Sequence, residues 1–214
     1  MLLVLYFSIL HFKGGVYPWY LPPAVVLGLF VLASLINQLK EKYPSRQYLI
    51  PLYAFSIIYI SLSASVFFMT VKQISAHQEI IEYGNRMKIG LWLRENVKQN
   101  ESVFLEALGY IGYFSNAKML DWPGLVAPEI VAAADKKEYG DYEKILRKVK
   151  PTWQVLRLHN YNSLLKSTWF KENYIKMHVF DVRKQIHQLE NLPGVNYLYI
   201  DSMFIVVKKI NKSA

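Results

Sequence analysis

A chain of 214 residues has room for one or two domains, and 53% apolar residues with a mean hydropathy of +0.12 make it more apolar than an ordinary soluble domain of that length. Its 25 Lys and Arg against 16 Asp and Glu leave a net charge of +9, which suits nucleic acid or an anionic lipid surface alike. The absence of cysteine excludes a disulfide framework, a thiolate zinc site and a cysteine nucleophile. The five scattered histidines (His11, His77, His159, His178, His187) include no HExxH or other close pair, so no metal site is expected.

In chain order, the first segment is MLLVLYFSILHF, apolar but only 12 residues long. As a helix it would span about 18 Å, too little for a hydrocarbon core. It lacks the basic start and small-residue cleavage site of a signal peptide, so the chain is expected to begin inside a transmembrane helix, as a truncated or split reading frame would. No charged side chain occurs from Gly14 to Leu39 or from Tyr48 to Val71. Each run exceeds the roughly 20 residues a helix needs to cross a bilayer, and in lipid only a helix satisfies its own backbone hydrogen bonds. The expectation is a transmembrane region over 1–72, with spans at about 16–37 and 48–71. The alternative is a pair of core helices in a soluble protein.

Between these runs, KEKYPSRQ carries Lys40, Lys42 and Arg46 against Glu41. A short basic loop of this kind stays in the cytoplasm, which puts residues 73–214 outside it. Tyr17, Trp19 and Tyr20 at one end, and Tyr48 and Tyr53 at the other, suit aromatic belts.

Residues 73–98 form an amphipathic pattern, with Ile74, Ile81, Met87, Leu91 and Trp92 near a common face, and are expected to be a helix connecting span to domain. From 99 to 214 short β-type and helical segments alternate. SVFLEA, AKMLDW, TWQVLRL and YIKMHVFDV predict strands; YIGYFS, PEIVAAAD, DYEKILRKV and YNSLLKS predict helical segments; NYLYIDSMFIVVKKI predicts a final hairpin or strand pair. The expected fold is therefore a membrane α-helical region followed by a small α/β domain with a mixed, mainly parallel sheet, any antiparallel strand lying at its edge.

Gly109 and Gly112 follow a predicted strand, where glycines could bring backbone amides to a phosphate, but neither GxGxxG nor GxxxxGK[ST] is present. A tight turn and close helix packing account for them better. Asp121 and Glu129 flank a Pro-Gly turn; they could divide acid and base roles, or Asp121 could fix the turn and Glu129 start a helix. The structural reading is favoured. Lys144, Arg147, Lys148 and Lys150 are interleaved with acids and predict a solvated helix face, not a nucleic-acid patch. Two Asn-x-Ser tripeptides, at Asn100 and Asn211, are common enough by chance to be given no role.

Two stretches resemble a known family. YPWYLPPAVVLGLFVLAS resembles the Pro-aromatic-Pro entry to a late transmembrane helix of bacterial GT-C glycosyltransferases, membrane enzymes that use polyprenyl-phosphate sugar donors. WLRENV, then SVFLEALGYIGYFSNAKMLDWPGLVAPEIV, is similar to the start of the extracytoplasmic C-terminal domain of such proteins. There a Trp-Leu-x-x-Asn helix precedes a strand, a Gly-x-x-Gly-Tyr-aromatic-Ser turn and an Asp-x-x-Gly-Leu-Val-x-Pro-Glu segment. PTWQVLR and WFKENYIKMHVF sit where that pattern continues.

The resemblance implies a multi-pass protein of the bacterial inner membrane corresponding to the C-terminal portion of a transferase that moves a sugar from a polyprenyl-phosphate donor to a cell-envelope acceptor. The family's essential acidic residue lies in an early external loop that has no counterpart here, so no catalytic residue is assigned. An N-terminal partner polypeptide carrying that loop is implied, and the chain alone is expected to be inactive. Lys13, Trp19 and Tyr20 are the candidates to meet the lipid phosphate and line its cavity, or else interfacial anchors. No cofactor, metal or nucleic acid is expected. The rival reading is a membrane-anchored binding or assembly module without transferase activity; a third is a soluble α/β enzyme.

Overall fold

The computed structural model describes residues 21–42, 46–134, 142–192 and 194–210. The expected partial helix at 1–12 and the candidates Lys13, Trp19 and Tyr20 lie outside them. The chain divides into two compact units, one comprising the N-terminal residues through His77 with Leu189–Tyr197, the other Gln78–Gln188 with the residues from Leu198 onward.

The first unit contains α1 (Leu21–Lys42) and α2 (Arg46–Ala76). Both expose large apolar side chains, and in α2 the polarity is inverted relative to a helix of a soluble protein. Phe30 and Phe68 are 70% and 65% exposed, and Leu27, Ile57, Ile58 and Leu62 are exposed too, whereas Ser56, Thr70 and Gln73 are buried. The Ser56 and Thr70 hydroxyls donate to the carbonyls of Leu52 and Val66, four residues back, at 2.8 and 2.9 Å, so neither leaves a polar group unsatisfied. Among the described residues, one helix, within Ile50–Asn96, is both long and apolar enough to cross a membrane. The segment Leu189–Tyr197 closes this unit over the end of α2. The Tyr197 hydroxyl donates to the Gln73 carbonyl at 3.2 Å, and its ring stacks on His77. At Gly194, where φ is +76°, a Cβ would fall 2.7 Å from the Gln73 amide nitrogen.

Beyond α2 the chain passes through a π-helical stretch, His77–Arg86, into α3 (Met87–Asn96). The chain then continues through β1 (Ser102–Leu105), α4 (Leu108–Ser115), β2 (Lys118–Asp121), α5 (Pro128–Ala133), α6 (Tyr142–Val149), β3 (Trp153–Arg157), α7 (Leu158–Leu164), α8 (Thr168–Asn173), β4 (Tyr174–Asp181) and α9 (Arg183–His187) of the second unit, a 3-10 turn (Val195–Asp201) that begins in the first unit and ends in the second, and β5 (Met203–Lys209) of the second. The sheet order is β2-β1-β3-β5-β4. β1 pairs in parallel with β2 and β3, and β5 runs antiparallel to β3 and β4, so four strands point one way.

Alternation along each strand sorts side chains into two cores. Phe104, Leu120, Leu156 and Ile205 pack under Ile130 of α5, Ile145 and Leu146 of α6, Leu164 of α7 and Phe170 of α8. On the opposite face, Val103, Leu105, Trp153, Val155 and Val206 pack under Ile89 and Leu93 of α3 and Ile111 of α4. Helices therefore cover both faces, the arrangement a parallel sheet requires.

Three expectations are corrected. NYLYIDSMFIVVKKI yields one strand preceded by a 3-10 turn, not a hairpin or strand pair. The antiparallel strand β5 is internal, and β4, which follows β3 in sequence, takes the edge. In the helix after the span, Ile81, Glu82, Asn85, Ile89, Gly90 and Leu93 are buried; of the expected face Ile81 is buried, whereas Ile74 is exposed and Met87, Leu91 and Trp92 are only half-buried. The π-helical turns, with i→i+5 bonds, shift the phase that a regular 3.6-residue repeat projects.

Glycine roles also move. A Cβ at Gly109 meets nothing within 4 Å, whereas one at Gly90 of α3 would lie 2.8 Å from Phe114 Cβ and 2.9 Å from the Ile111 carbonyl oxygen. Gly90, not Gly109, sets the close approach of α3 and α4. Gly109→Ala is expected to raise stability by about 0.5–1 kcal/mol through helix propensity. Gly90→Ala is expected to lower it by about 1–3 kcal/mol through overpacking. Thermal unfolding of the detergent-solubilised protein checks both; a lower midpoint for Gly109→Ala than for Gly90→Ala contradicts the assignment.

Candidate functional site

In an open sheet with parallel strands, the chain leaves neighbouring strands in opposite directions where the strand order reverses, and a crevice opens at their carboxyl ends. Here that point lies between β1 and β3. β1 leads through α4 to β2 on one side, and β2 leads through α5 and α6 back to β3 on the other. Glu106 follows the last residue of β1 and Arg157 is the last residue of β3, so each stands at the crevice because its strand ends there.

Around them lies a connected set of polar side chains. The Arg157 guanidinium bonds Glu106 through Nη1 and donates from Nε to Asp201 Oδ1 at 2.6 Å. Asp201 also receives Nη2 of Arg86, whose Nη1 pairs with Glu82 at 2.5 Å, one helical turn earlier. The second Glu106 oxygen accepts the Tyr142 hydroxyl at 2.7 Å and the Asn160 amide at 3.4 Å. Asn85 donates its amide to the Asp201 carbonyl at 2.9 Å. Two guanidinium groups thus meet three carboxylates. The Arg157 side chain is only 13% exposed, while that of Glu106 is 35% exposed and opens the cluster to solvent.

Burial pushes the Asp201 carboxyl up, but the charges and hydrogen bonds of Arg86 and Arg157 outweigh it and hold that carboxyl below its ordinary range. Glu106 behaves alike: burial raises it, and the bonds from Tyr142 and Arg157 more than reverse the effect. Burial and the adjacent Glu106 carboxylate drive the Tyr142 hydroxyl above its ordinary value, so it stays a donor. Burial disfavours the Arg157 cation, but Asp201 and Glu106 overcome this and raise its pKa, keeping it charged. Because both carboxyls titrate lower in the folded state than in the unfolded chain, the stability they contribute is present in full above about pH 4–5. It is lost as pH falls through their depressed folded values. The thermal midpoint is expected to hold steady from neutrality to about pH 5 and to drop below pH 4, and a midpoint that rises on acidification contradicts this.

Asp121 and Glu129 do not join the cluster. Asp121, at the end of β2 and 1% exposed, accepts the backbone N–H groups of Leu125 and Val126 at 2.7 and 2.9 Å and fixes the turn after the cis Trp122–Pro123 bond. Glu129 lies in the first turn of α5 and pairs with Lys118 at 2.7 Å. The structural roles anticipated for this pair are those observed. The Lys118–Glu129 pair borders a shallow groove of about 690 Å³ lined by Gly109, Gly112, Tyr113, Met119 and Val126. The basic residues of α6 are exposed; Arg147 pairs with Glu143 at 2.5 Å and stacks over Trp169, as a solvated helix face does.

Among the described residues no three His, Asp or Glu side chains are placed to hold a metal ion. The cluster itself was missed in the sequence. The one signal for it is a charged residue directly following each apolar run, in SVFLEA and TWQVLRL, which places those charges at the carboxyl ends of adjacent parallel strands.

The family model described as "Domain of unknown function (DUF8728)" matches residues 72–199, more than half of the chain, and the chain belongs to that family. Neither the curated proteins nor the solved structures include a match.

Proposed function

We propose that this family member is a membrane-anchored, extracytoplasmic acceptor-positioning unit of a polyprenyl-phosphate-sugar-dependent transferase, corresponding to the C-terminal portion of a GT-C-type enzyme of the bacterial inner membrane. The observation that carries the anchoring is the row of large apolar side chains exposed along α1 and α2, with Ser56, Thr70 and Gln73 of α2 turned inward. The sequence resemblance supports the transferase assignment. The crevice at Glu106 supports a positioning role: its carboxylate, the Tyr142 hydroxyl and the Asn160 amide are the groups that hydrogen-bond a polyhydroxylated acceptor. Glu106 and Asp201 are each engaged by an arginine, which suits binding better than proton transfer.

The test is reconstitution. Membranes holding a polyprenyl-phosphate sugar and an acceptor should show no transfer with the purified chain alone. Transfer should appear when a polypeptide with an acidic first external loop is supplied, and Glu106→Gln should raise the acceptor KM more than it lowers kcat. Turnover by the chain alone would sink the non-catalytic reading. Failure of every such partner to restore transfer favours the anchored binding module.

Topology is tested separately. The protein has no cysteine, so single cysteines at Lys42 and at Tyr113, which is 81% exposed, report sidedness directly. A membrane-impermeant maleimide is expected to label position 113 and not position 42 in intact cells, and the reverse pattern overturns the orientation.

A further inference from the structure

Within the second unit, the π-helical stretch that ends at Arg86 touches two elements at once. On one side Gln78 donates its amide to the Tyr110 hydroxyl of α4 at 2.6 Å, and the Tyr83 ring meets the Tyr110 ring edge-on at 5.7 Å. Gln78 and Tyr83 are five residues apart. In a helix of 3.6 residues per turn they would stand about 140° apart around the axis, whereas an i→i+5 turn stacks them on one neighbour. On the other side Arg86 pairs with Asp201, and Asn85 donates to the Asp201 carbonyl at 2.9 Å.

Gly84 permits the wide turn. A Cβ there would fall 2.9 Å from the Glu79 carbonyl oxygen, five residues back, and a backbone atom cannot yield as a flexible side chain can. The turn is also costly, because Arg86 Nε and the Asn85 side-chain oxygen are buried with no hydrogen-bond partner among the described residues. Packing alone gives no reason for that cost, and π turns occur frequently at functional sites. Asp201 connects this segment to the crevice. Its Oδ2 faces Arg86 and its Oδ1 receives Nε of Arg157 at 2.6 Å, which leaves Arg157 Nη1 directed at Glu106. Without Arg86, Asp201 can turn both oxygens to Arg157 and draw the guanidinium away from Glu106.

We propose that Gly84, Asn85 and Arg86 are positioning residues for the Glu106 site: the π turn delivers Asn85 and Arg86 to Asp201, which holds Arg157 in the orientation that engages Glu106. They act on Glu106 through Asp201 and Arg157. This geometric role is independent of the transferase assignment, and its consequence for acceptor binding rests on the acceptor-positioning reading.

The test follows the Glu106 carboxyl by carbon-13 NMR in the full chain, labelled at glutamate in a neutral detergent, with the resonance assigned by its loss in Glu106→Gln. In the parent protein it titrates below the ordinary carboxylate range. Arg86→Gln is expected to move its midpoint up toward the ordinary value, and Gly84→Ala, which keeps every charge, should move it the same way. Arg86→Lys retains the charge without the two-pronged guanidinium and should still raise the midpoint, though less. Arg94→Gln, at an exposed position of α3, removes an equal charge and should leave it unchanged. A folded Gly84→Ala or Arg86→Gln protein with the parent midpoint overturns the inference. Should Gly84→Ala fail to fold, the Arg86 variants decide it: Arg86→Lys matching the parent assigns the effect to charge alone and overturns positioning. In the reconstituted system Arg86→Gln should raise the acceptor KM about tenfold with kcat nearly kept. If no partner polypeptide restores transfer while the Glu106 midpoint moves as expected, the acceptor reading is lost and the positioning role stands.

Discussion

Arg157→Ala is expected to lower the thermal unfolding midpoint of the detergent-solubilised protein by about 6–12 °C. The figure combines about 3 kcal/mol for removing one partner from a buried ion cluster with about 2–4 °C per kcal/mol for a chain of this length. Arg157 links three parts of the second unit: its own strand β3, Glu106 after β1, and Asp201 before β5. Without it, Glu106 keeps Tyr142 and Asn160, but Asp201 keeps only Arg86 as a cationic partner. Two carboxylates then remain beside Glu82 with one guanidinium among the three.

The cost is dominated by what is left behind, not by the pair's own strength. Glu106→Gln is therefore a sharp comparison, since the amide oxygen introduced there could still accept from Tyr142 and the position is more exposed. It is expected to cost about 1 kcal/mol. The acid-induced fall in midpoint should also be shallower in Arg157→Ala, because the charge that depresses both carboxyls is gone. An Arg157→Ala midpoint within about 2 °C of the parent would show that the cluster contributes little to stability.

The strands and helices of the second unit were legible where one physical signal dominated. SVFL and TWQVLR are short, largely apolar runs, and Pro128 opens α5 because its missing N–H costs nothing in a first helical turn. The sequence NYLYID was misread because its run of apolar residues looked like a strand. In the fold Tyr197 and Leu198 are buried while Tyr199 and Ile200 are exposed. That pairing of inward and outward residues belongs to a turn and not to a strand of period two, and the Ser202 hydroxyl, donating to the Tyr199 carbonyl at 2.8 Å, closes it. The face of the post-span helix was obscured by the π-helical turns, since local composition does not show where a helix widens.

The ion cluster was illegible for a different reason. Arg86, Glu106, Arg157 and Asp201 are distant in sequence and each is individually ordinary, so only sheet order brings them together. Asp121, in contrast, was legible because its partners are local: an aspartate preceding a Pro-Gly pair commonly bonds the backbone a few residues on.

Asp121→Ala is expected to cost about 3 kcal/mol, and this separates a turn-fixing carboxylate from a catalytic one. Each Asp121 oxygen accepts one backbone N–H, from Leu125 and from Val126, and the side chain is almost wholly buried. Charged hydrogen bonds of this kind contribute about 1.5–3 kcal/mol each, and truncation leaves both amides without their acceptor. Asp121→Asn should recover part of the loss, because its carbonyl can serve one amide while its NH2 group confronts the other. The same turn carries Leu125 and Val126 at the surface and leads into α5, whose Ile130 lies in the core under Phe104 and Leu120. Loosening it should therefore expose core amides of β2 and α5 to hydrogen exchange before those of β3 and β5. A catalytic Asp121 would give the opposite pattern: transfer abolished in the reconstituted system, with the unfolding midpoint and the exchange of α5 unchanged.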